Sequence, residues 1–170
     1  MNNNIFFCSD HHFGHENIIK YCSRPYATVH EMNKDLIDRH NSVVGKDDIV
    51  YHLGDFTFND PQRYLQYMNG HIFLIRGNHD KKKFYNSFIG SMRWMSIEIG
   101  GKKCFLNHYP IAPENEKKTQ DYYNFAKKHD FYIVGHVHEK WKTLGNNINV
   151  GVDVWDYYPV SEAQLIKAMK

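Results

Sequence analysis

The sequence predicts an α/β fold on mixed sheets, and three observations carry that expectation. Five short apolar runs each give way at once to Asp, Asn or His. Strands alternate with helices in the first half of the chain, and Gly-Gly or Asn-Asn pairs turn strands back on themselves in the second. Alternation favours parallel strands and hairpins favour antiparallel ones, so a chain with both builds mixed sheets. No linker or internal repeat divides the 170 residues, and one domain over residues 1–170 is expected.

Strand one is Ile5 to Ser9. Ala27 to Val44 reads as the longest helix: Thr28-x-x-Glu31 suits a capping box, and Met32, Leu36, Ile37, His40 and Val44 recur at helical spacing. Gly45 stops it. Strand two is Ile49 to Leu53, a short helix follows Pro61, and strand three is His71 to Arg76. Asp80 to Phe88 is a further helical segment, weakened by Lys81-Lys82-Lys83, a run that reads as a solvated face rather than a nucleic-acid patch. Gly100-Gly101 between apolar alternations marks a hairpin, and its second arm carries Cys104-Phe105-Leu106. Pro113 to Thr119 reads as a surface loop ahead of a helix from Tyr123 to Lys128. Phe131 to Val134 is the sixth strand, another hairpin turns at Asn146-Asn147, and Ser161 caps a terminal helix through Ala168.

Composition narrows the class. Apolar content of 42% is ordinary, aromatic content of 15% is high, and a formal charge of +2 is too small to announce a nucleic-acid binder. The three cysteines, Cys8, Cys22 and Cys104, have no metal-binding spacing; two lie in apolar runs, and a reducing cytoplasm suits such thiols. No apolar stretch approaches the ~20 residues needed to span a membrane, and a secretion signal is not expected, because the N-terminus lacks a basic region followed by an apolar one.

Twelve histidines are the anomaly, and the strand ends explain half of them, counting His15. Asp10-His11-His12 follows strand one, Gly54-Asp55 strand two and Gly77-Asn78-His79-Asp80 strand three. Asn107-His108 and Gly135-His136-Val137-His138 follow later apolar runs. Sheet proteins collect ligands at strand ends in this way. A single structural ion is saturated by four ligands, and these clusters exceed that need. Near a strand end residues i and i+2 share a side, so Asp10 can converge with His12, and His136 with His138.

The order Asp-x-His, Gly-Asp, Gly-Asn-His-Asp, His before Tyr-Pro, then Gly-His-x-His resembles the calcineurin-like metallophosphoesterase superfamily. The opening Ser9-Asp10-His11-His12-Phe13-Gly14-His15, with Tyr21-Cys22-Ser23-Arg24-Pro25 behind it, is similar to a compact bacterial and phage branch. The resemblance implies two packed β-sheets flanked by helices, and two divalent ions. By the family's pattern Asp10, His12 and His138 hold one ion, Asn78, His108 and His136 the other, and Asp55 bridges them. Mixed nitrogen and oxygen donors suit Mn²⁺, Fe²⁺, Zn²⁺ or Ni²⁺, with Mn²⁺ favoured. His79 is the expected catalytic residue, orienting or protonating the departing oxygen. Asp80 either fixes the His79 imidazole or serves structure, and Asp153 is placed to buttress a ligand. His15 and Arg24 are expected at the substrate rim by the same resemblance, although Arg24-Pro25 reads equally as a surface turn.

The implied activity is metal-dependent hydrolysis of a phosphate ester. After Asp55 the chain reads Phe56-Thr57-Phe58-Asn59 and not the Asp-Arg-Gly of protein phosphatases, and no residues remain for a nuclease cap domain. A phosphodiesterase acting on a small nucleotide-like ester is the first expectation, with no membrane partner and no stable nucleic-acid complex. A phosphomonoesterase or nucleotide pyrophosphohydrolase is the alternative. A catalytically silent metal-dependent scaffold for protein partners is the third reading.

Overall fold

A computed structural model describes residues 3–112 and 120–169. Two five-stranded mixed sheets lie face to face. The first contains β1 (Ile5–Cys8), β2 (Ile49–His52), β3 (His71–Ile75), β4 (Gly90–Met92) and β10 (Val160–Ser161), in the order β10-β1-β2-β3-β4. The second contains β5 (Trp94–Ile99), β6 (Lys102–Asn107), β7 (Phe131–Val134), β8 (Thr143–Leu144) and β9 (Asn147–Asn149), in the order β5-β6-β7-β9-β8. Strands β1 to β4 are parallel, as are β6, β7 and β9; β10, β5 and β8 run antiparallel to their neighbours.

Period-two alternation along β1 builds two cores at once. Phe7 points between the sheets, where it meets Leu53, Ile75, Leu106, Ile133 and Ile148. Phe6 and Cys8 point to the outer face, where helices α1 (Glu16–Tyr21) and α2 (Val29–Val43) bring Ile18, Met32 and Leu36. A third cluster, Phe105, Ile111, Tyr122 and Ala126, seats helix α4 (Tyr123–Ala126) on the far side of the second sheet. The short α3 (Gln62–Leu65) follows Pro61, and α5 (Glu162–Ala168) ends the described chain.

The long helix begins where its cap predicts. Thr28 Oγ1 accepts from the Glu31 N–H at 3.1 Å, but the Glu31 carboxylate reaches back to the Ala27 N–H, one residue beyond the N-cap. Ser161 and Gln164 close a full capping box on α5. Gly100 and Gly101 both have positive φ, and the hairpin pairs Ile99 with Lys102.

Several elements differ from expectation. Helix α1 is six residues long with only Ile18 buried, too short to show a helical period. Residues Lys82–Ser87 wind as a 3₁₀ helix that buries nothing, so no apolar stripe tightens the Asp80–Phe88 segment into an α-helix. The late hairpin turns at Gly145-Asn146, one residue before the expected pair, because Leu144 pairs with Asn147 and Gly145 supplies the positive φ. Strands β4 and β10 are three and two residues long, below what alternation can reveal. The expected loop at Pro113–Thr119 lies outside the described residues. Among the described residues no helix is long and apolar enough to cross a membrane.

Candidate metal centre

The carboxyl ends of β1, β2 and β3 in one sheet and of β6 and β7 in the other open onto the same place. The backbone there leaves the strand conformation abruptly. Asp10, His12, Asp55, His136 and His138 all have φ between 51° and 73°, the left-handed region. Each such residue costs about 1–2 kcal/mol without a glycine, and strain of this kind gathers at functional sites. Asp10 and His12 do converge, but through left-handed steps and not through the pleat of an extended strand. Paired backbone bonds hold the steps: Asp10 N–H donates to Gly54 O and His12 N–H to Asp55 O, both at 3.0 Å.

The glycines of the motifs have a steric reason. A Cβ on Gly77 would stand 2.2 Å from Asp55 Oδ1 and 2.5 Å from Asp55 N. One on Gly135 would meet Asp10 Oδ2 at 2.6 Å, and one on Gly54 would meet His108 Nδ1 at 2.7 Å. The donor side chains fill the volume that a side chain here would need.

Two donor groups result. Ligand atoms of Asp10, His12 and His138 lie within 4.8 Å of one another, and so do those of Asp55, His108 and His136. Asn78 Oδ1 joins the second group, 3.0 Å from His108 Nε2. Asp55 stands between the groups: its Oδ2 is 3.6 Å from His12 Nε2 and 3.5 Å from His108 Nε2. Asp10, His12, Asp55 and His108 are all buried.

The residues fit a cation. Asp10 Oδ1 and both ring nitrogens of His12 are buried with no hydrogen-bond partner among the described residues, a rare condition for polar atoms. Burial, reinforced by His138, pushes His12 down to about 2, which keeps the imidazole neutral, the form that a metal ligand requires. Burial raises Asp55 to about 6, only partly opposed by His108 and reinforced by the Asp10 carboxylate. Nearby positive charge would reverse that cost.

A second ring of contacts orients the donors. His108 Nδ1 donates to Leu53 O at 2.8 Å, turning Nε2 toward Asp55. His138 Nδ1 meets Asp153 Oδ2 at 3.0 Å, the buttress expected of Asp153. Burial lowers His138, but Asp153, Cys22 and Asp10 outweigh it and raise the imidazole to about 10. As an imidazolium it cannot ligate, so an ion entering this group would have to displace that proton. Ser9 Oγ donates to Asp10 Oδ2 at 2.6 Å. Asp80 does not reach the His79 ring: its carboxylate accepts from the N–H groups of Gly77, Asp55 and Phe56 at 2.7–3.0 Å, pinning the Asp55 turn.

Arg24 overturns both of its expected placements. Its side chain is fully buried, neither on a surface turn nor at the substrate rim. Nε and Nη2 fork onto the Asp153 carboxylate at 2.7 and 3.0 Å, while Nη1 and Nη2 donate to the carbonyls of His11 and Asp10 at 2.8 and 2.7 Å. With its polar hydrogens directed inward, it clamps the Asp10 turn to the residue behind His138.

His11 and His52 form a buried pair that the motif pattern did not mark. The Gly54 N–H donates to His52 Nδ1 at 3.2 Å, which leaves the His52 proton on Nε2, directed to His11 Nδ1 at 2.8 Å. Burial keeps both rings neutral, with His52 down to about 3. The pair ties the turn after β1 to the turn after β2.

His79 and His15 face a cleft of about 370 Å³, lined also by His12, Tyr21, Cys22 and His138. The His79 side chain is 43% exposed, and its Nε2 is 3.9 Å from Asp55 Oδ2. His15 packs edge-on against Phe58 at 4.6 Å, and Phe58 in turn lies 4.8 Å from the His79 ring.

Comparison with known proteins agrees with this geometry. Residues 4–151 match the Calcineurin-like phosphoesterase superfamily domain. An uncharacterized protein of Methanocaldococcus jannaschii is 37% identical over 98% of this chain and 91% of its own. The crystal structure of a protein of unknown function from Aquifex aeolicus superposes with a TM-score of 0.79 at 32% identity, covering 98% of this chain and 100% of that one. A novel archaeal phosphodiesterase shares the fold, with a TM-score of 0.50 at 18% identity over 87% of this chain and 82% of that one. Sequence match and donor set make this a metal-dependent phosphoesterase domain: the chain belongs to the calcineurin-like phosphoesterase superfamily.

Proposed function

We propose that the protein is a dinuclear phosphodiesterase acting on a small, nucleotide-like ester. The placement of Asp55 carries the reading: one oxygen within 3.6 Å of a nitrogen in each donor group suits a carboxylate shared by two ions. Asp10, His12, Asp55 and His138 would hold one ion, and Asp55, Asn78, His108 and His136 the other. Mn²⁺ heads the candidates, ahead of Fe²⁺, Zn²⁺ and Ni²⁺. Two such ions supply charge stabilisation on the phosphoryl oxygens and an activated water.

The chain's own residues do the rest. Asn78 is a neutral donor, which limits negative charge where an anionic ester must enter. His79 Nε2, beside Asp55 and open to the cleft, is placed to give a proton to the departing oxygen. A cleft of about 370 Å³ has room for a second ester arm, which favours a diester. Cys8 and Cys104 are free, buried thiols, in keeping with a reducing cytoplasm.

The test is a metal-reconstituted assay of aryl phosphate mono- and diesters, cyclic nucleotides and dinucleotides, together with metal counting on Asp55→Asn. Diesters should be turned over fastest, and the variant should weaken both ions together, because one bridging oxygen becomes an amide nitrogen. Turnover of monoesters alone would make the protein a phosphomonoesterase, and no turnover of any ester would leave a scaffold. Two full equivalents of metal with intact activity in Asp55→Asn would remove the bridge.

A further inference from the structure

The cleft beside the candidate metal centre is lined by two kinds of side chain. His12, His15, His79, His136 and His138 bring imidazoles, the groups of metal and phosphate chemistry. Ile18 and Tyr21 of α1, with Cys22 and Val137, supply an apolar wall, which joins the imidazoles where Cys22 meets His138. A phosphoryl group has no use for an apolar wall, so that part of the cleft fits the organic part of the ester.

Tyr21 gives the wall its shape. It is the last residue of α1 and is 69% exposed, a large ring that the core does not use. The helix under it is held: Ile18 is buried, and Arg24 N–H donates to Ile19 O at 2.8 Å while the Arg24 side chain clamps the Asp10 turn. A ring on a fixed support offers its face at little entropic cost. From Tyr21 the rings continue inward. His15 meets Tyr21 edge-on at 6.1 Å, Phe58 meets His15 at 4.6 Å, and His79 follows at 4.8 Å. The row leads from the cleft mouth to the residue beside the shared carboxylate. Glu139 and Lys140 complete the lining and supply one hydrogen-bond acceptor and one donor type. A flat ring with polar edges, attached to a phosphate, satisfies the whole cleft; an alkyl chain would leave the polar pair unused.

We infer that the apolar wall of this cleft is a nucleobase subsite in which Tyr21 is the stacking surface. The inference rests on the phosphoesterase reading for the location of the phosphate, and it names the substrate class as nucleoside phosphates. Stacking accepts any base, so Tyr21 confers preference for a base over none and not for one base over another.

Calorimetric titration of the Mn²⁺-loaded protein with adenosine 5′-monophosphate and with ribose 5-phosphate tests it, since the second ligand carries a hydroxyl where the first carries its base. The nucleotide should bind roughly tenfold tighter. Tyr21→Ala should remove that advantage and leave ribose 5-phosphate unchanged, whereas Tyr21→Phe should keep it. Tyr21 is exposed, so circular dichroism should find both variants folded. Equal affinities for the two ligands in the wild type, or binding of neither, overturns the subsite. A base advantage that survives in Tyr21→Ala overturns the assignment to Tyr21. Hydrolysis of bis(4-nitrophenyl) phosphate, measured in parallel, reports on the phosphoesterase reading itself, so the two failures are separable.

Discussion

At the scale of single residues, chemistry and packing separate cleanly between His79 and Gly77. His79 is half exposed at the cleft and belongs to neither tight donor group. His79→Ala should therefore keep both metals yet lose roughly 10²–10⁴-fold in rate. The loss should shrink with nitrophenolate, a leaving group that hardly needs a proton; equal losses for good and poor leaving groups would refute proton donation. Gly77 contributes no donor atom of its own side chain, but any Cβ there collides with Asp55 at 2.2 Å. Gly77→Ala should weaken metal binding about 10–100-fold, the scale of lost ligand orientation, and wild-type affinity in a metal titration would contradict it. The candidate ligands were readable because each sits within four residues of a strand end in a recurring spacing. Arg24 and His52 were not, because their partners lie elsewhere in the chain: Arg24 and Asp153 are 129 positions apart, His11 and His52 41. Composition marks a lone arginine but cannot say whether it faces water or a buried carboxylate.

At the scale of elements, α2 shows how a stripe can hide a titrating group. His40 occupies the buried face with Met32 and Leu36, and its Nε2 donates to Asn69 O at 2.8 Å. Burial lowers it to about 4, against 6.5 when unfolded. Between those values the unfolded chain binds a proton that the folded one refuses, so the contribution is fully present above pH 6.5 and is lost as pH falls toward 4. The size is about 3 kcal/mol. Urea midpoints at pH 7 and pH 5 should differ less in His40→Gln than in the wild type, and an unchanged difference would exclude His40 as a source. Helix α2, the Gly-Gly hairpin and the longer strands were legible because caps, period and turn residues agreed. The six-residue α1 and two-residue β10 were not, since a segment shorter than two periods carries no period. That gap mattered, because α1 builds the cleft wall.

At the scale of the whole molecule, the candidate ligands come from both sheets. Asp10, His12, Asp55 and Asn78 follow strands of the first, while His108, His136 and His138 follow strands of the second. Bound metal would therefore staple the sandwich as well as serve chemistry. At about 100 times its dissociation constant a ligand adds about 2.7 kcal/mol, which for a chain of this size is roughly 5–10 °C in Tm. Chelation should lower Tm by that amount and metal return should restore it; a Tm indifferent to chelation would mean that the sheets do not depend on the centre. Strand order has a further effect, one of timing. Strand β1, the first of the described strands to be synthesised, lies between β2 and β10, and its Phe6 and Phe7 pair with Ser161 and Val160. A ribosome adds about 5–20 residues each second, so β1 waits roughly 8–30 s with one edge open. Of the described strands, the one that delivers Asp10 and His12 is made first yet gains its second neighbour last, so that side of the candidate centre is braced only once Val160 and Ser161 have been added.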